Sequence, residues 1–262
     1  MPDAHVNGIR LYYEEHGEGA AIACIHGMGS SALMWGDAIG ELAQVGRVIS
    51  YDRRGCTRSE RPEPYERTST AEQADDAAAL LDALAAAPAV VIGRSYGGEV
   101  AIDLALRYGD RVRALVLLEG GVLELSPAAV EWMHALAARM REVAEQAGVD
   151  AVGEALIEEA LGEGAWRSFP DQVRQMFAQN GPAIVAESRG GFLQADAAAL
   201  ATIDQPVLLV EATDSMPEFR EATAATADAL PNARTSVVSG GHLINPAAPE
   251  VLAFIDEVLE RR

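Results

Sequence analysis

Short runs of consecutive Val, Ile, Leu and Ala residues alternate with helical segments in the first and last parts of the chain, and this alternation constrains the fold most strongly. Continuous apolar runs are typical of strands in a parallel sheet, because crossover helices cover both faces of such a sheet. The expected strands cover residues 9–14, 20–25, 48–51, 89–92, 114–118, 206–210 and 235–238. The expected helices cover residues 33–44, 70–86, 95–107, 218–230 and 249–261, with Thr70 as the N-cap of the second. The sequence therefore predicts an α/β fold.

The alternation of strands and helices stops between residues 126 and 190, where the pattern is helical and lacks a convincing strand. Prolines and glycines divide this stretch into about four helices. A helical block inserted between two strands of a sheet predicts a cap. We therefore expect an α/β core of residues 1–122 and 191–262 and a helical cap of residues 123–190.

Composition and charge limit the classes of partner. The chain has 262 residues, 49% of them hydrophobic, so it can bury the core of one large domain. A formal net charge of −20 disfavours nucleic acid, anionic membranes and polyanionic substrates. The two cysteines, Cys24 and Cys56, do not form a disulfide framework, and no metal-ligand spacing is present. Since neither a secretory pattern nor an apolar run of membrane-spanning length is present, we expect a cytoplasmic protein.

The segment Gly93-Arg94-Ser95-Tyr96-Gly97 follows an apolar strand directly and opens a helix. This is the context of a G-x-S-x-G nucleophile elbow, in which glycines remove side chains that would collide across a tight turn. The turn presents the Ser95 hydroxyl at the carboxyl edge of the sheet, and the helix N-terminus favours a developing negative charge there. The alternative is an ordinary glycine-rich turn with a serine N-cap, but the strand–turn–helix context favours Ser95 as a nucleophile.

A serine nucleophile needs a base, and His242 is the best placed of the five histidines. It follows the last strand and precedes the last helix, where the loop returns to the same edge of the sheet. The loop that contains His26, Gly27 and Met28 also follows a strand. We expect the N–H groups of Met28 and Tyr96 to form an oxyanion hole, with Gly27 allowing the backbone to approach. His26 is expected to be a structural hydrogen-bonding residue.

Together these motifs resemble the α/β-hydrolase superfamily over nearly the whole chain. The matching segments are His26-Gly27-Met28-Gly29, Tyr51-Asp52-Arg53-Arg54-Gly55-Cys56-Thr57-Arg58-Ser59, Gly93-Arg94-Ser95-Tyr96-Gly97-Gly98 and Gly241-His242. Thr57 departs from the pattern, because the family usually has a second glycine there. The resemblance implies a mostly parallel eight-stranded sheet, an inserted helical cap, a triad of serine, histidine and an acid, and no metal or organic cofactor.

The acid of the triad has two candidates, because members of this superfamily use two positions. Asp214 follows the strand after the cap and lies 28 residues before His242 (242 − 214), although the usual glycine of that motif is missing. Glu119 ends the strand before the cap, 24 residues after Ser95 (119 − 95). Haloalkane dehalogenases and fungal zearalenone lactonases look similar at this position and use a glutamate. The cap around Trp166 also looks like that of the lactonase-type relatives, so we favour Glu119 and keep Asp214 as the alternative.

Several other residues are candidates for contact with a substrate or for bracing the site. The apolar cap residues either line a pocket or form the core of the cap itself, and those expected to bind substrate are Trp166, Trp132, Met133 and Phe192. Arg94 either pairs with an acid away from the pocket or meets a polar substrate, and the sequence does not decide. Asp52, Arg53 and Arg54 are expected to form an ion cluster that braces a loop.

These residues predict hydrolysis of a carboxylic ester or lactone of a small, largely apolar molecule through an acyl-enzyme. The same triad could instead hydrolyse a carbon–carbon bond or catalyse cofactor-free perhydrolysis. From another class, the fold could serve as a non-catalytic small-molecule receptor. A serine nucleophile argues against dehalogenase and epoxide-hydrolase chemistry, which need a carboxylate there. The expected partner is a small-molecule substrate, and neither nucleic acid nor a membrane is expected to bind. A homodimer is possible, but the sequence does not determine the oligomeric state.

Overall fold

Eight strands form one sheet in the computed structural model, which describes residues 2–260. The strands are β1 (Asp3–Val6), β2 (Ile9–His16), β3 (Ala21–Ile25), β4 (Arg47–Tyr51), β5 (Ala89–Arg94), β6 (Val112–Leu118), β7 (Val207–Ala212) and β8 (Ala233–Val238). Their order is β1-β2-β4-β3-β5-β6-β7-β8. β2 is antiparallel to β1 and β4, and the remaining pairs are parallel. This topology confirms the mostly parallel eight-stranded sheet that the resemblance to α/β-hydrolases implies.

β1 is a short edge strand that the sequence analysis does not predict. Asn7 and Gly8 join it to β2, and their φ angles are 46° and 78°. Asn-Gly is the preferred sequence of a two-residue type I′ hairpin turn, because both central residues need a positive φ. This dipeptide is the signal by which the hairpin could have been found.

Helices outside the inserted segment cover both faces of the sheet. They are α1 (Ala38–Leu42), α2 (Thr70–Ala83), α3 (Tyr96–Arg107), and, further along the chain, α9 (Ala197–Leu200), α10 (Pro217–Ala229) and α11 (Pro249–Glu260). Within residues 2–260 no helix is long and apolar enough to cross a membrane. The expectation for α11 extended to Arg261, which lies outside the described residues.

Two details of the expected helices are wrong. Residues 33–44 do not form one helix, because Gly36, with a φ of 52°, separates a 3₁₀ turn at Ala32–Trp35 from α1. Thr70 is the first residue of α2 and not its N-cap. The Ser69 hydroxyl caps α2 by accepting a hydrogen bond from the N–H of Glu72.

The core of the protein lies on both faces of the sheet. Successive residues of a strand point to opposite faces, so Val90 and Ile92 of β5 pack against α1 and α11, whereas Val91 packs on the side of α2 and α3. All three side chains are fully buried. Burial on both faces explains why these strands are continuously apolar rather than alternating.

Helices occupy the chain between β6 and β7. They are α4 (Pro127–Ala147), α5 (Val152–Leu161), α6 (Ala165–Ser168), α7 (Asp171–Gln179) and α8 (Gly181–Gly190). These helices lie within residues 123–190, which we call the cap segment. α4 packs against α5 and α8, and α5 packs against α7. A small cluster of Ile157, Met176 and Phe177, with Trp166 and Phe169 packed on it, gives the cap segment an apolar core of its own.

Candidate active site

Ser95 lies in the turn between β5 and α3, and its backbone has φ 52° and ψ −127°. A Cβ at Gly93 would lie 2.4 Å from the carbonyl oxygen of Gly97, and one at Gly97 would lie 2.2 Å from that of Ile25. Only glycine fits at these two positions. The N–H of Ser95 is tied to the carbonyl oxygen of Leu118 at the end of β6. A non-glycine residue held at positive φ by such constraints is typical of a functional position.

The loop after β8 brings His242 to Glu119. Nδ1 of His242 lies 2.6 Å from Oε2 of Glu119, and Oε1 of Glu119 accepts the N–H of Ala212 at 2.9 Å. Glu119 directly follows β6, has a φ of 46° and is 3% exposed. With the Nδ1 proton directed to Glu119, Nε2 of His242 is left as an acceptor. The ring of His242 stacks on Phe219, with centroids 4.6 Å apart.

The pKa of Glu119 reflects this arrangement. Burial alone would raise it, but the hydrogen bond and charge of His242, together with the N–H of Ala212, hold the pKa of Glu119 below its ordinary value. Glu119 is therefore an ionised carboxylate at neutral pH, positioned to stabilise a positive charge on the imidazole.

Asp214, the alternative acid, lies in a different environment. Its side chain is exposed and accepts a hydrogen bond from the Thr213 hydroxyl at 3.2 Å. It lines an open surface depression together with Gly241 and His242. The carboxylate that hydrogen-bonds His242 is that of Glu119.

Arg94, directly before Ser95, connects the elbow to two other loops. Its guanidinium donates to the carbonyl oxygens of Met34 and Ile244, at 3.2 and 2.8 Å, and lies over the ring of Trp35. Within the described residues Arg94 has no carboxylate partner, which argues against the first of the two alternatives, and Arg94 lines the second cavity described below. Burial lowers the pKa of Arg94 to about 10. The contact with Ile244, two residues after His242, ties the loop of the histidine to the elbow.

The loop after β3 runs beside the elbow. A Cβ at Gly27 would lie 3.3 Å from the carbonyl oxygen of Arg94 and 3.5 Å from Cβ of Ser95. Within residues 2–260 the N–H of Met28 has no hydrogen-bond partner. The N–H of Tyr96 is at the first position of α3, where helical N–H groups lack an intrahelical acceptor. Both N–H groups are thus available to a ligand next to Ser95.

His26 is part of the scaffold of this loop. Its Nε2 accepts the N–H of Arg53 at 2.9 Å, and its Nδ1 lies 2.9 Å from the carbonyl oxygen of Gly27. Burial and the nearby charge of Arg53 hold the pKa of His26 well below its ordinary value. His26 is therefore a neutral structural residue, as the sequence indicates.

A buried ion pair joins the same loop to the cap segment. Arg53 pairs with Glu187 of α8 at 2.6 Å and donates to the carbonyl oxygens of His26 and Gly27, at 2.9 and 2.7 Å. Glu187 also accepts the N–H of Gly29 at 3.3 Å. Both charged side chains are 1% exposed or less. The bracing role expected for Arg53 agrees with these contacts, but its partner on α8 carries no recognisable signal in the sequence.

The other two members of the expected ion cluster also brace loops. Asp52 accepts the N–H of Ala32 at 2.8 Å and the side chain of Arg58 at 2.7 Å. Arg54 pairs with Asp76 of α2 at 2.5 Å. Among residues 2–260, no group of three or more His, Cys, Asp or Glu side chains could hold a metal ion.

Two cavities meet at Ser95. The first is lined by Met28, Ser95, Tyr96, Glu99, Glu119, Gly121, Leu123, Trp132, Leu136, Leu156, Ala160, Phe192 and Phe219. The second is lined by Gly27, Met28, Ser30, Met34, Arg94, Ser95, Leu156, Ile157, Ala160, Leu161, Phe177, His242 and Leu243. Both linings are mostly apolar, with a few polar groups around Ser95, as is typical of small-molecule sites.

The expected substrate-binding residues divide into two pairs. Trp132 and Phe192 line the first cavity. Trp166 instead packs on the small core of the cap segment, and Met133 is buried in the main core. Neither Trp166 nor Met133 lines the two cavities at Ser95, so their positions agree with the alternative interpretation, packing within the protein. Glu99 also lines the first cavity and was missed, because nothing in its sequence context separates it from a surface residue of a helix.

Comparison with known proteins decides the family. The model of the family described as alpha/beta hydrolase fold matches residues 20–249. The chain belongs to this family. This α/β-hydrolase is 41% identical over 120 residues to a protein of Azorhizobium caulinodans named "Putative carbamate hydrolase RutD", and the match covers 46% of this chain and 44% of that protein. The chain thus spans less than half the length of this curated relative.

Two solved structures match over nearly their whole length. A thermophilic esterase from Thermogutta terrifontis is 27% identical, with a TM-score of 0.79 and a match covering 99% of this chain and 98% of that one. Est816, described as an N-acyl homoserine lactone degrading enzyme, is 25% identical, with a TM-score of 0.73 and 99% of both chains covered. This α/β-hydrolase is therefore similar to an esterase and to a lactone-degrading enzyme.

Proposed function

We propose that this α/β-hydrolase cleaves a carboxylic ester or lactone of a small, largely apolar molecule. Ser95 is the nucleophile, His242 the general base and Glu119 the acid of the triad. The observation that supports this most is the 2.6 Å hydrogen bond between His242 and the buried carboxylate of Glu119, at the rim of cavities that also contain Ser95. The similarity to an esterase and a lactone-degrading enzyme supports the choice of bond.

In the first half of the reaction, Oγ of Ser95 attacks the carbonyl carbon while Nε2 of His242 takes its proton. Glu119 stabilises the resulting imidazolium. The N–H groups of Met28 and Tyr96 donate to the oxyanion of the tetrahedral intermediate. When that intermediate collapses, the alkoxide leaves with the proton from His242, and the acyl group stays on Ser95.

In the second half, water attacks the acyl carbonyl and gives its proton to His242. Collapse of the second tetrahedral intermediate breaks the bond to Oγ of Ser95, which recovers the proton from His242. The products are a carboxylic acid and an alcohol, or one hydroxy acid from a lactone. Because His242 protonates the leaving group and lines the second cavity, that cavity holds the alcohol part and the first cavity holds the acyl part.

A panel of p-nitrophenyl esters and lactones tests this proposal with the wild-type protein and Ser95→Ala. We expect ester or lactone turnover that falls by at least about 10⁴-fold in Ser95→Ala. Turnover that does not depend on Ser95 would refute the proposal. Cleavage of a carbon–carbon bond or peracid formation without ester turnover would assign the same triad to another reaction. Tight binding without product would indicate a receptor.

A further inference from the structure

Glu99 is a buried carboxyl group next to the nucleophile that the proposed mechanism does not use. It lies in the first turn of α3, four residues after Ser95. Ser95 is the residue directly before α3, so Glu99 belongs to the helix that begins at the proposed nucleophile. Glu99 is 1% exposed and lines the first cavity together with Ser95. A carboxyl group therefore lies in the wall of the same cavity as Ser95.

The protein uses only part of the hydrogen-bonding capacity of Glu99. Oε1 accepts the N–H of Leu123 at 3.1 Å, and Oε2 accepts the N–H of Leu193 at 3.0 Å. A carboxylate has about four lone pairs, so about two are left for other donors. These two contacts also fix the chain at both ends of the cap segment.

No positive charge compensates Glu99 within residues 2–260. Neither an Arg, a Lys nor a His of the described chain pairs with it or lines the first cavity beside it. Burial raises the pKa of Glu99 to about 8, and the negative charges of Asp103 and Glu124 act in the same direction. At neutral pH the carboxyl group is therefore largely protonated, so it can donate as well as accept a hydrogen bond. A hydroxyl or ammonium group of a substrate would pair with it, whereas a methyl group would leave its remaining hydrogen-bonding capacity unmet.

The geometry points to a specificity-determining role: Glu99 makes the first cavity selective for acyl groups that carry a hydrogen-bond donor, a hydroxyl or an ammonium group. This inference rests on the proposed function, because it identifies the first cavity as the acyl site. The rest of the cavity lining is largely apolar, so Glu99 supplies a directional contact for such a group.

Three esters of equal chain length test the inference. The p-nitrophenyl esters of butanoate, 3-hydroxypropanoate and 3-aminopropanoate differ only in a terminal methyl, hydroxyl or ammonium group. Each kcat/KM is divided by the rate constant for alkaline hydrolysis of the same ester, which removes differences in intrinsic reactivity. We expect the wild-type protein to prefer at least one donor-bearing ester over butanoate by about 10-fold or more. The order of the two donor esters shows whether a hydroxyl or an ammonium group is favoured.

Variants of Glu99 show whether this preference depends on its carboxyl group. Glu99→Gln keeps an acceptor oxygen, and Glu99→Met keeps the volume without any acceptor. We expect the preference, taken as the ratio of normalised rates within each variant, to shrink in Glu99→Gln and to disappear in Glu99→Met. Asp110→Asn is the control for loss of a carboxylate elsewhere, because Asp110 is exposed, pairs with Arg111 at 2.7 Å and lies outside the cavity lining. Its preference should equal that of the wild type.

Equal normalised rates for the three esters in the wild type would overturn the inference, as would an unchanged preference in Glu99→Met. If no ester is hydrolysed, or if Ser95→Ala keeps the activity, the proposed function fails instead. In that case the comparison is made by calorimetry, with the three methyl esters binding to Ser95→Ala protein. Tighter binding of a donor-bearing ester, lost when Glu99→Met is added, would still support the role of Glu99, and equal binding would refute it.

Discussion

Replacing the proposed acid of the triad separates the two candidates, Glu119 and Asp214, by their effects on kcat. In Glu119→Gln the side chain keeps its size, but its amide can turn an N–H₂ donor towards Nδ1 of His242, which lies 2.6 Å from the present carboxylate oxygen. Nδ1 then becomes the acceptor and Nε2 carries the proton, so Nε2 cannot take the proton of Ser95. The stabilising charge beside the imidazolium is lost as well.

We expect Glu119→Gln to lower kcat for an activated ester by about 10²–10⁴-fold, which corresponds to roughly 3–5 kcal/mol in the activation free energy. Asp214→Asn should change kcat by less than about 3-fold, because the Asp214 side chain is exposed and bonds only the neighbouring Thr213 hydroxyl among its described contacts. Initial rates with p-nitrophenyl butanoate measure both, and thermal melting checks that each variant is folded. A loss of several orders of magnitude in Asp214→Asn, with near-normal rates in Glu119→Gln, would refute our assignment of the acid.

Two further predictions concern stability. Glu187→Gln leaves Arg53 buried without its ion-pair partner and should lower the free energy of unfolding, measured in urea titrations, by about 3–5 kcal/mol. Breaking the exposed pair of Arg139 and Glu142 should lower it by less than about 1 kcal/mol. Equal effects would contradict the bracing role of the buried pair. The pKa of Glu99 is raised to about 8 in the fold. Between about pH 4.5 and pH 8 the folded state therefore binds one more proton than the unfolded state, and stability falls as the pH rises, by up to roughly 1.4 kcal/mol per unit. Urea titrations at several pH values should show this fall relative to Glu99→Gln, and parallel curves for the two proteins would contradict it.

The sequence predicts the elbow well because its chemistry is local. The close approaches at Gly93 and Gly97 leave no room for a Cβ, so the turn demands a contiguous motif that can be read directly. His242 is predictable for a related reason, because it follows a strand whose carboxyl end lies at the same edge of the sheet. Strand ends alone do not separate Glu119 from Asp214, so the choice of Glu119 rests on the resemblance to lactonase-type relatives. The structure places the side chains of His242 and Glu119 in contact.

The pocket is less predictable, because it is defined by tertiary contacts. Trp166 and Trp132 are both tryptophans of helical segments, yet one packs inside the cap segment and the other lines a cavity. Whether each tryptophan lines a cavity depends on how α4 to α8 pack together. The spacing of apolar residues along the sequence does not specify that packing. Glu99 looks like an ordinary polar residue of a helix until the two ends of the cap segment close over it. The same holds for Glu187, whose partner Arg53 lies 134 residues away in the chain.

The central claim is that Ser95 becomes acylated, and covalent trapping tests it most directly. The wild-type protein is incubated with a fluorophosphonate, which phosphonylates an activated serine with loss of fluoride, and is then examined by intact-protein and peptide mass spectrometry. We expect one phosphonate per chain, located on Ser95, and little labelling of Ser95→Ala or Glu119→Gln on the same timescale, because both lack an activated serine. Stoichiometric labelling at another residue, or undiminished labelling of Ser95→Ala, would contradict the account.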